Sequence, residues 1–423
     1  MASESNPPTE ATRQIKALAP RRPWQGRRVV LGVTGGIAAY KAVQLARDLT
    51  QLGALVDVIL TRAATEFVGG ITFEALTGRP VHRDLIAEGS ALDHIKLARE
   101  ADVVCVAPAT ADLLARAAAG RADDLLAAVL LATRAPVLLC PAMNDQMWDH
   151  PQTQSNAAHL RELGYRLIGP ASGALAHGEG TGAGRMEDPE FIIEYIGRAL
   201  GASAGLAGRK VVVTAGPTRE PVDAVRVLSN RSSGRMGYAI AAAAWRRGAD
   251  VVLITGPAEI TAPIGPTLIR IETAEQMREA VASAIVRADA LIMAAAVADF
   301  RPAQPSNSKL KKAQGAGPLE LEAAPDVLKE TRAQRPPQLR VVGFALETDD
   351  HIDNARKKLQ EKALDLIVLN DAREPGAGFE VDTNRVTIIG REGTPEVLPL
   401  QSKHEVAEAI LDRLLTLLPA GSA

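Results

Sequence analysis

Pro141-Ala-Met-Asn-Asp-Gln-Met-Trp148 follows the apolar run Pro136-Val-Leu-Leu-Cys140 with no turn residues between them. The carboxamide of Asn144 is therefore expected just past a buried strand. In open α/β sheets, ligands bind in the crevice beyond the carboxyl ends of the strands, so Asn144 is placed to hold a substrate. Other polar groups in the same half fall at strand ends. Gly32, Thr34, Gly35 and Gly36 close a strand and open a helix, offering backbone N–H groups and a helix N-terminus to a phosphate. Thr61 ends the second strand with a hydroxyl, and Ala107-Pro-Ala-Thr110 supplies another on a proline-stiffened loop. His94 brings an imidazole able to move a proton near neutral pH. The glycines lack G-x-G-x-x-G spacing and no acidic residue clearly ends the second strand, which favours a mononucleotide such as FMN over NAD. Each group also has an ordinary structural role: Asn144 in a turn capping the sheet, Thr110 as a helix N-cap, His94 as a surface histidine.

The second half carries a different constellation. Thr214-Ala-Gly-Pro-Thr-Arg-Glu-Pro221 forms a Gly/Pro loop, and Ser229-Asn-Arg-Ser-Ser-Gly-Arg-Met-Gly237 sets Asn230, Ser232, two arginines and glycines at the opening of a helix over Tyr238–Arg246. Hydroxyls, guanidinium groups and a helix N-terminus together make a phosphate cradle. Asp299 falls beyond the small-residue strand Ala294-Ala-Ala-Val-Ala, where it can orient Mg2+ on a triphosphate. Lys309-Leu-Lys-Lys312 lies in a Pro/Ser/Gly-rich stretch and reads as a cationic loop able to close over phosphates, although three lysines are also an ordinary solvated charge run.

The elements that must position these groups alternate strand and helix. Arg27–Thr34 and Gly208–Thr214 each read as the first strand of a parallel sheet; Leu55–Leu60, Val103–Val106 and Val137–Cys140 continue the first sheet. Val251–Thr255, Ala290–Ala295, Val341–Phe344 and Leu366–Leu369 continue the second, with Val386–Ile389 expected as an added edge strand. The fold class is α/β, with two doubly wound, Rossmann-like domains. We expect a disordered tail over 1–26, one domain over 27–200, a small-residue linker over 201–208 and a second domain over 209–418. A length of 423 residues suits two domains. The formal charge of -2 argues against a nucleic-acid or membrane surface as main partner, and the short, charge-separated apolar runs predict a soluble cytoplasmic protein. Cys105 and Cys140, the two cysteines, lie in apolar strands and imply neither a disulfide framework nor a thiolate zinc site.

Taken together, Gly32–Lys41, His94, Ala107–Ala111, Gly120-Arg-Ala-Asp-Asp124 and Pro141–Trp148 resemble the homo-oligomeric flavin-containing cysteine decarboxylases, specifically phosphopantothenoylcysteine decarboxylase. The resemblance covers Arg27 to Arg185. It implies FMN at Gly35, Gly36, Thr61 and Thr110, a base role for His94 and recognition of the substrate carboxylate by Asn144. The chemistry is coherent: a carboxylate next to an amide nitrogen has nowhere to leave its electron pair, and a flavin creates a sink by oxidising the neighbouring CH2–SH towards a thioaldehyde. The resulting enethiolate must then be protonated and reduced. Leu175-Ala-His-Gly-Glu-Gly-Thr-Gly-Ala-Gly-Arg-Met186 resembles the family's Gly-rich flap, but His177 stands where the family has a proton-donating cysteine, and the flap is one residue longer. Asp112 replaces a common asparagine.

Gly208 to Gly390 resembles phosphopantothenate-cysteine ligase through Ser229–Gly234, Ala296–Arg301, Lys309–Lys312, Val342-Gly-Phe-Ala345 and Lys362-Ala-Leu-Asp365. That resemblance implies CTP as activator of 4′-phosphopantothenate, then displacement of CMP by the amine of cysteine. It carries Asn230 over as stabiliser of the acyl-nucleotide, Lys309 as charge stabiliser, Asp299 as the carboxylate facing Mg2+, and Phe344, with Lys362 and Asp365, as nucleotide-side residues. Ala324 replaces an asparagine before Pro325-Asp326. A fusion of the two enzymes, working as a homo-oligomer, is the leading expectation. Two rivals stay open: a flavoprotein that decarboxylates without the final reduction, and a nonenzymatic flavin-binding regulator.

Overall fold

The computed structural model describes residues 22–86, 92–175, 177–178, 180–202, 204–310, 318–347, 351–371 and 381–419. The tail over 1–21, Lys311, Lys312 and Ser203 of the expected linker lie outside them. The chain divides into two compact units, one over Arg21–Gly201 and one taking in Ala202–Ala423.

In the first unit, strands β1 (Arg28–Val33), β2 (Leu55–Leu60), β3 (Val81–His82), β4 (Val103–Ala109), β5 (Val137–Pro141) and β6 (Arg166–Leu167) form one sheet in the order β3-β2-β1-β4-β5-β6. All of its pairings are parallel. This is the doubly wound order, whose direction reverses between β1 and β4. Alternation of side chains explains why the strands are apolar throughout: Val29, Leu31 and Val33 enter one buried cluster and Val30 the other. Helices α1 (Ala39–Gln51), α2 (Gly70–Thr77), α3 (Asp93–Glu100), α4 (Ala111–Ala118), α5 (Leu125–Ala132), α6 (Asp145–Asp149), α7 (Pro151–Glu162) and α8 (Pro189–Gly201) supply the covering layers. An antiparallel hairpin, β7 (Ala171–Ala174) with β8 (Thr181–Arg185), stands apart from the sheet. Cys105 and Cys140 are buried and free, as their apolar surroundings predict.

The second unit repeats the order and adds to it. Strands β9 (Lys210–Ala215), β12 (Asp250–Thr255), β13 (Thr267–Arg270), β14 (Ala290–Met293), β17 (Arg340–Glu347) and β18 (Leu366–Asp371) are parallel, in the order β13-β12-β9-β14-β17-β18. Strands β20 (Val386–Gly390) and β21 (Glu396–Val397) extend it antiparallel. Small ribbons pair β10 (Arg219–Pro221) with β11 (Val227–Ser229), β15 (Phe300–Pro302) with β16 (Leu321–Ala323), and β19 (Thr383–Asn384) with β22 (Gln401–Ser402). Helices α9 (Arg235–Arg246), α10 (Ala274–Ala284), α11 (Val327–Glu330), α12 (His351–Glu361) and α13 (Lys403–Leu415) complete it.

Three expectations need correcting. Val386–Ile389 is not an edge, because β21 pairs on its far side. The expected tail over 1–26 does not hold for its last residues, since Trp24 is only 1% exposed and its indole donates to the Ile193 carbonyl. The stretch 201–208 is not a plain linker: Gly201 ends α8 and Leu206 is fully buried.

Both sheets place a threonine where the strand order reverses. Thr34 Oγ1 donates to the Pro108 carbonyl at 2.8 Å and accepts from Thr110 N at 3.2 Å, tying the end of β1 to the end of β4. Thr214 Oγ1 accepts from Ala295 N at 3.2 Å, tying β9 to the loop after β14. Thr218 Oγ1 takes the Ala298 N–H at 3.0 Å. Each hydroxyl satisfies backbone at the crevice where this fold binds its ligands.

Candidate active sites

In the first unit the expected residues lie along the carboxyl edge of the sheet. Gly35 packs so tightly on Ala63 that an added Cβ would stand 2.4 Å from its methyl group. Beyond Gly36, α1 begins with neither a side-chain cap nor an acidic residue in its first turn. That combination suits a phosphate, which would meet the positive end of the helix dipole. Thr61 caps a short turn by accepting from Ala64 N, and Thr110 caps α4 by accepting from Leu113 N. The capping role weighed for Thr110 is therefore present, and both hydroxyls remain at the edge the glycines define. Asp112 pairs with Arg116 at 3.0 Å on the exposed face of α4.

Asn144 N-caps α6, its Oδ1 accepting from Gln146 N at 2.9 Å. The β7–β8 hairpin lies directly on it: Met143 N donates to the Gly184 carbonyl at 3.0 Å. A Cβ on Gly184 would stand 2.2 Å from the Met143 oxygen, so this approach requires glycine. His177 sits exposed in the loop of that hairpin, which Leu175 N closes onto the Gly180 carbonyl. Asn144 and the flap thus form one assembly. Sequence reasoning missed what anchors it. Lys41 of α1 is buried, and its ammonium donates to the Met186 carbonyl and to Asp188, both at 2.8 Å. That ammonium, bonded to Asp188 and outweighing partial burial, holds the carboxyl below its usual range with help from Arg185. His94, on the first turn of α3, has a buried Nδ1 with no hydrogen-bond partner among the described residues. An orphaned imidazole nitrogen costs desolvation unless a ligand or water meets it.

In the second unit the expected residues converge. Asn230, Ser232, Asp299, Phe344 and Lys362 line one cavity of about 620 Å³. Asn230 Nδ2 donates to the carbonyls of Ala296 (3.2 Å) and Val297 (3.1 Å), fixing the loop that carries Asp299. Ser232 Oγ accepts from Gly234 N at 3.3 Å. Gly234 is the N-cap of α9 at φ +77°, with no side-chain cap and no first-turn acid behind it. Lys362 pairs with Asp326 at 3.1 Å. Burial raises the Asp326 carboxyl, but the Lys329 N–H and the Lys362 ammonium overcome it and the net direction is down. Arg335, which sequence reading did not single out, braces this corner by donating to the carbonyls of Leu328 and Lys362.

Two expected residues fall elsewhere. Lys309 is exposed and is not part of the cavity lining; the adjacent Leu310 N is docked on Asp223 at 3.2 Å. Asp365 is a strut: one oxygen accepts from Val341 N at 2.8 Å and the other pairs with Arg391 at 3.3 Å. No group of three or more His, Cys, Asp or Glu among the described residues is arranged to hold a metal. A single carboxylate such as Asp299 suits Mg2+ carried on nucleotide phosphates rather than a dedicated cage.

The fold defines two doubly wound α/β units, the first with its candidate residues along a sheet edge and the second with a cavity of about 620 Å³. Residues 18–201 match the Flavoprotein family and residues 206–418 the DNA/pantothenate metabolism flavoprotein C-terminal domain. The coenzyme A biosynthesis bifunctional protein CoaBC of Mycobacterium tuberculosis (strain ATCC 25618 / H37Rv) is 47% identical over 94% of this chain and 98% of its own length. That of Bacillus subtilis (strain 168) is 46% identical over 92% and 97%. Among solved structures, the C-terminal domain of a coenzyme A biosynthesis bifunctional protein CoaBC covers 51% of this chain and 98% of its own at 38% identity, with a TM-score of 0.44. A PPC decarboxylase mutant complexed with pantothenoylaminoethenethiol covers 41% and 97% at 30% identity, with a TM-score of 0.37. The chain belongs to the family of bifunctional coenzyme A biosynthesis proteins and is an enzyme of that class. Among the described residues no helix is long and apolar enough to cross a membrane.

Proposed function

We propose that the C-terminal unit joins 4′-phosphopantothenate to cysteine at the expense of CTP, and that the N-terminal unit decarboxylates the product to 4′-phosphopantetheine with FMN. The observation that carries the ligase half is the convergence of Asn230, Ser232, Asp299, Phe344 and Lys362 on one cavity of about 620 Å³, large enough for a nucleotide. In this reading the α9 N-terminus and Ser232 hold phosphate, Asp299 faces Mg2+, and Lys362, positioned by its pair with Asp326, binds phosphate. Asn230, locked by its bonds to Ala296 and Val297, stabilises the acyl-cytidylate. Lys309 acts as an outer charge that must travel with its loop to reach transferred phosphate.

In the flavin half, Gly35, Gly36 and the start of α1 take the FMN phosphate, while Thr61 and Thr110 border the ring. Bound FMN supplies the electron sink that makes loss of CO2 possible. Asn144 orients the substrate carboxylate, and the hairpin resting on Met143 closes over it. The orphaned Nδ1 of His94 leaves that imidazole available to take the substrate thiol proton. The reading makes the enzyme cytoplasmic and homo-oligomeric, with small-molecule substrates. Exposed Ile37 and Tyr40 at the flavin edge and Val225, Val227 and Phe300 on the ligase ribbons are apolar surfaces a second subunit would cover.

A second reading rests on His177. Exposed in the hairpin loop, it is reached by solvent, and an enethiol left unprotonated there would leave as product. One assay separates the readings: phosphopantothenate, cysteine, CTP and Mg2+ supplied together, with CMP, CO2 and the thiol product followed separately. We expect CMP, CO2 and saturated thiol. An oxidised thiol product would favour the second reading, and absence of both CMP and CO2 would overturn both.

A further inference from the structure

The ligase cavity has a second polar wall, built by the chain that follows the parallel sheet. Asn384 of β19 and Lys403, the first residue of α13, both line the cavity, although they are only 1% and 5% exposed. Asn384 Nδ2 donates to Asn370 Oδ1 at 3.3 Å, and its Oδ1 is buried with no hydrogen-bond partner among the described residues. Lys403 donates to the Val381 carbonyl. Arg235, at the start of α9, lines the same cavity and pairs with Asp382. Arg231, Arg235 and Lys403 therefore share this cavity with the start of α9, which has no side-chain cap; the other charged lining groups among the described residues are Lys358, Lys362, Asp299 and Asp326. Cationic side chains beside the positive end of an uncapped helix favour an anion. Burial, and then the neighbouring Arg235 charge, pull the Lys403 ammonium down to about 8, against the opposing pull of Asp382.

We infer that Lys403 contacts a phosphate of a substrate bound in this cavity, and that Asn384 Oδ1 accepts from a hydroxyl or N–H of the same molecule. The inference rests on the ligase reading and extends it to residues outside the resemblance that suggested it. Two substrates of that reading carry phosphate next to such donors, the nucleoside triphosphate and 4′-phosphopantothenate. Asn384 is fixed through Asn370 on β18, and Lys403 by the β19–β22 ribbon in which Thr383 pairs with Ser402. Ser402 caps α13 in a capping box with Glu405, so the position of Lys403 is set by local structure rather than by the ligand.

Calorimetric binding of CTP, inorganic triphosphate and 4′-phosphopantothenate to the full chain, and to its Lys403→Met and Asn384→Asp variants, tests this without relying on turnover. Removing one charge-assisted contact should weaken binding of one of these ligands about tenfold or more in Lys403→Met, and the loss should shrink as salt rises. Weakened CTP and triphosphate binding assigns the subsite to the nucleotide; weakened phosphopantothenate binding alone assigns it to that phosphate. Asn384→Asp keeps the shape and puts negative charge beside the anion, so it should weaken the same ligand; this decides the matter if Lys403→Met unfolds the unit. Unchanged affinities in Asn384→Asp and in a folded Lys403→Met overturn the inference, as does a loss in Lys403→Met that is indifferent to salt. CMP release by the parent, measured alongside, reports on the ligase reading separately: active parent with unaffected variants sinks only the present inference.

Discussion

The two units share a strand order and a threonine at the point where it reverses, yet they hold their candidate residues differently. In the C-terminal unit, residues far apart in sequence, from Asn230 to Lys403, line one cavity, and β19 and α13 contribute Asn384 and Lys403 to its wall. The sheet of the N-terminal unit stops at six strands, and its candidate residues are strung along an edge where Ile37 and Tyr40 are 65% and 63% exposed. The same doubly wound scaffold thus gains added cavity wall where the chain continues past the parallel sheet, as Asn384 and Lys403 show. Each unit keeps one orphaned polar atom among its candidate residues, His94 Nδ1 in the first and Asn384 Oδ1 in the second, while Lys362 is paired with Asp326.

That contrast is broken most sharply by uncoupling the two chemistries. His94→Gln should lower CO2 release from supplied phosphopantothenoylcysteine by about 10²- to 10⁴-fold, the usual worth of a positioned acid or base. CMP release in the same preparation should be unchanged. Asn230→Ala should do the reverse, lowering CMP release by roughly 10- to 100-fold as about 1–3 kcal/mol of hydrogen bonding to Ala296 and Val297 is lost. Its CO2 release from the supplied intermediate should stay at parent level. If either variant impairs both products, the units do not act as separate sites.

A smaller effect sharpens the account of the cavity. Lys362→Met should raise the KM for CTP about tenfold with little change in kcat, the signature of a binding charge rather than a reacting group. A fall in kcat at constant KM would move Lys362 out of the binding role.

The fold was legible because its central strands are β-branched apolar runs with polar residues waiting at their ends, and a doubly wound order follows from strand–helix alternation. Short strands such as β3, β6 and β13 carry no such signal, and β21 escaped notice, which made Val386–Ile389 look like an edge. The N-terminal residues were found because glycine, histidine and carboxamide types stand out at strand ends. Lys41 and Arg335 were not found because each acts through the backbone of a distant segment: Lys41 reaches the Met186 carbonyl 145 residues on. Lys403 was hidden for a similar reason, since its charged surroundings exist only once Arg235 meets Asp382, 147 residues away. Lys309 illustrates the opposite limit: the sequence marks it as cationic, but the side chain's reach depends on a loop that here is docked on Asp223.

The smallest expected effect separates the units by acid sensitivity. His404, one residue into α13, lies next to the cavity wall with a buried Nδ1 that has no partner among the described residues. Burial, then the nearby Arg246 charge, lower its ionisation from 6.5 to about 4, against the opposing pull of Asp382 and Glu405. Because the folded value lies below the unfolded one, the unfolded chain binds the extra proton first. Stability from the neutral imidazole is therefore complete above about pH 6.5 and drains away as pH falls towards about 4. Asp326, depressed as a carboxylate, gives up its contribution only below the ordinary carboxylate range, so pH 5 isolates the histidine. Thermal unfolding of the full chain at pH 7 and pH 5 should show a drop in midpoint that His404→Leu diminishes, while His159→Leu, exposed on α7 of the flavin half, leaves it intact. An equal drop in parent and His404→Leu would mean that the acid sensitivity of this corner comes from another group, and that the neutral state of His404 is not what holds α13 against the cavity.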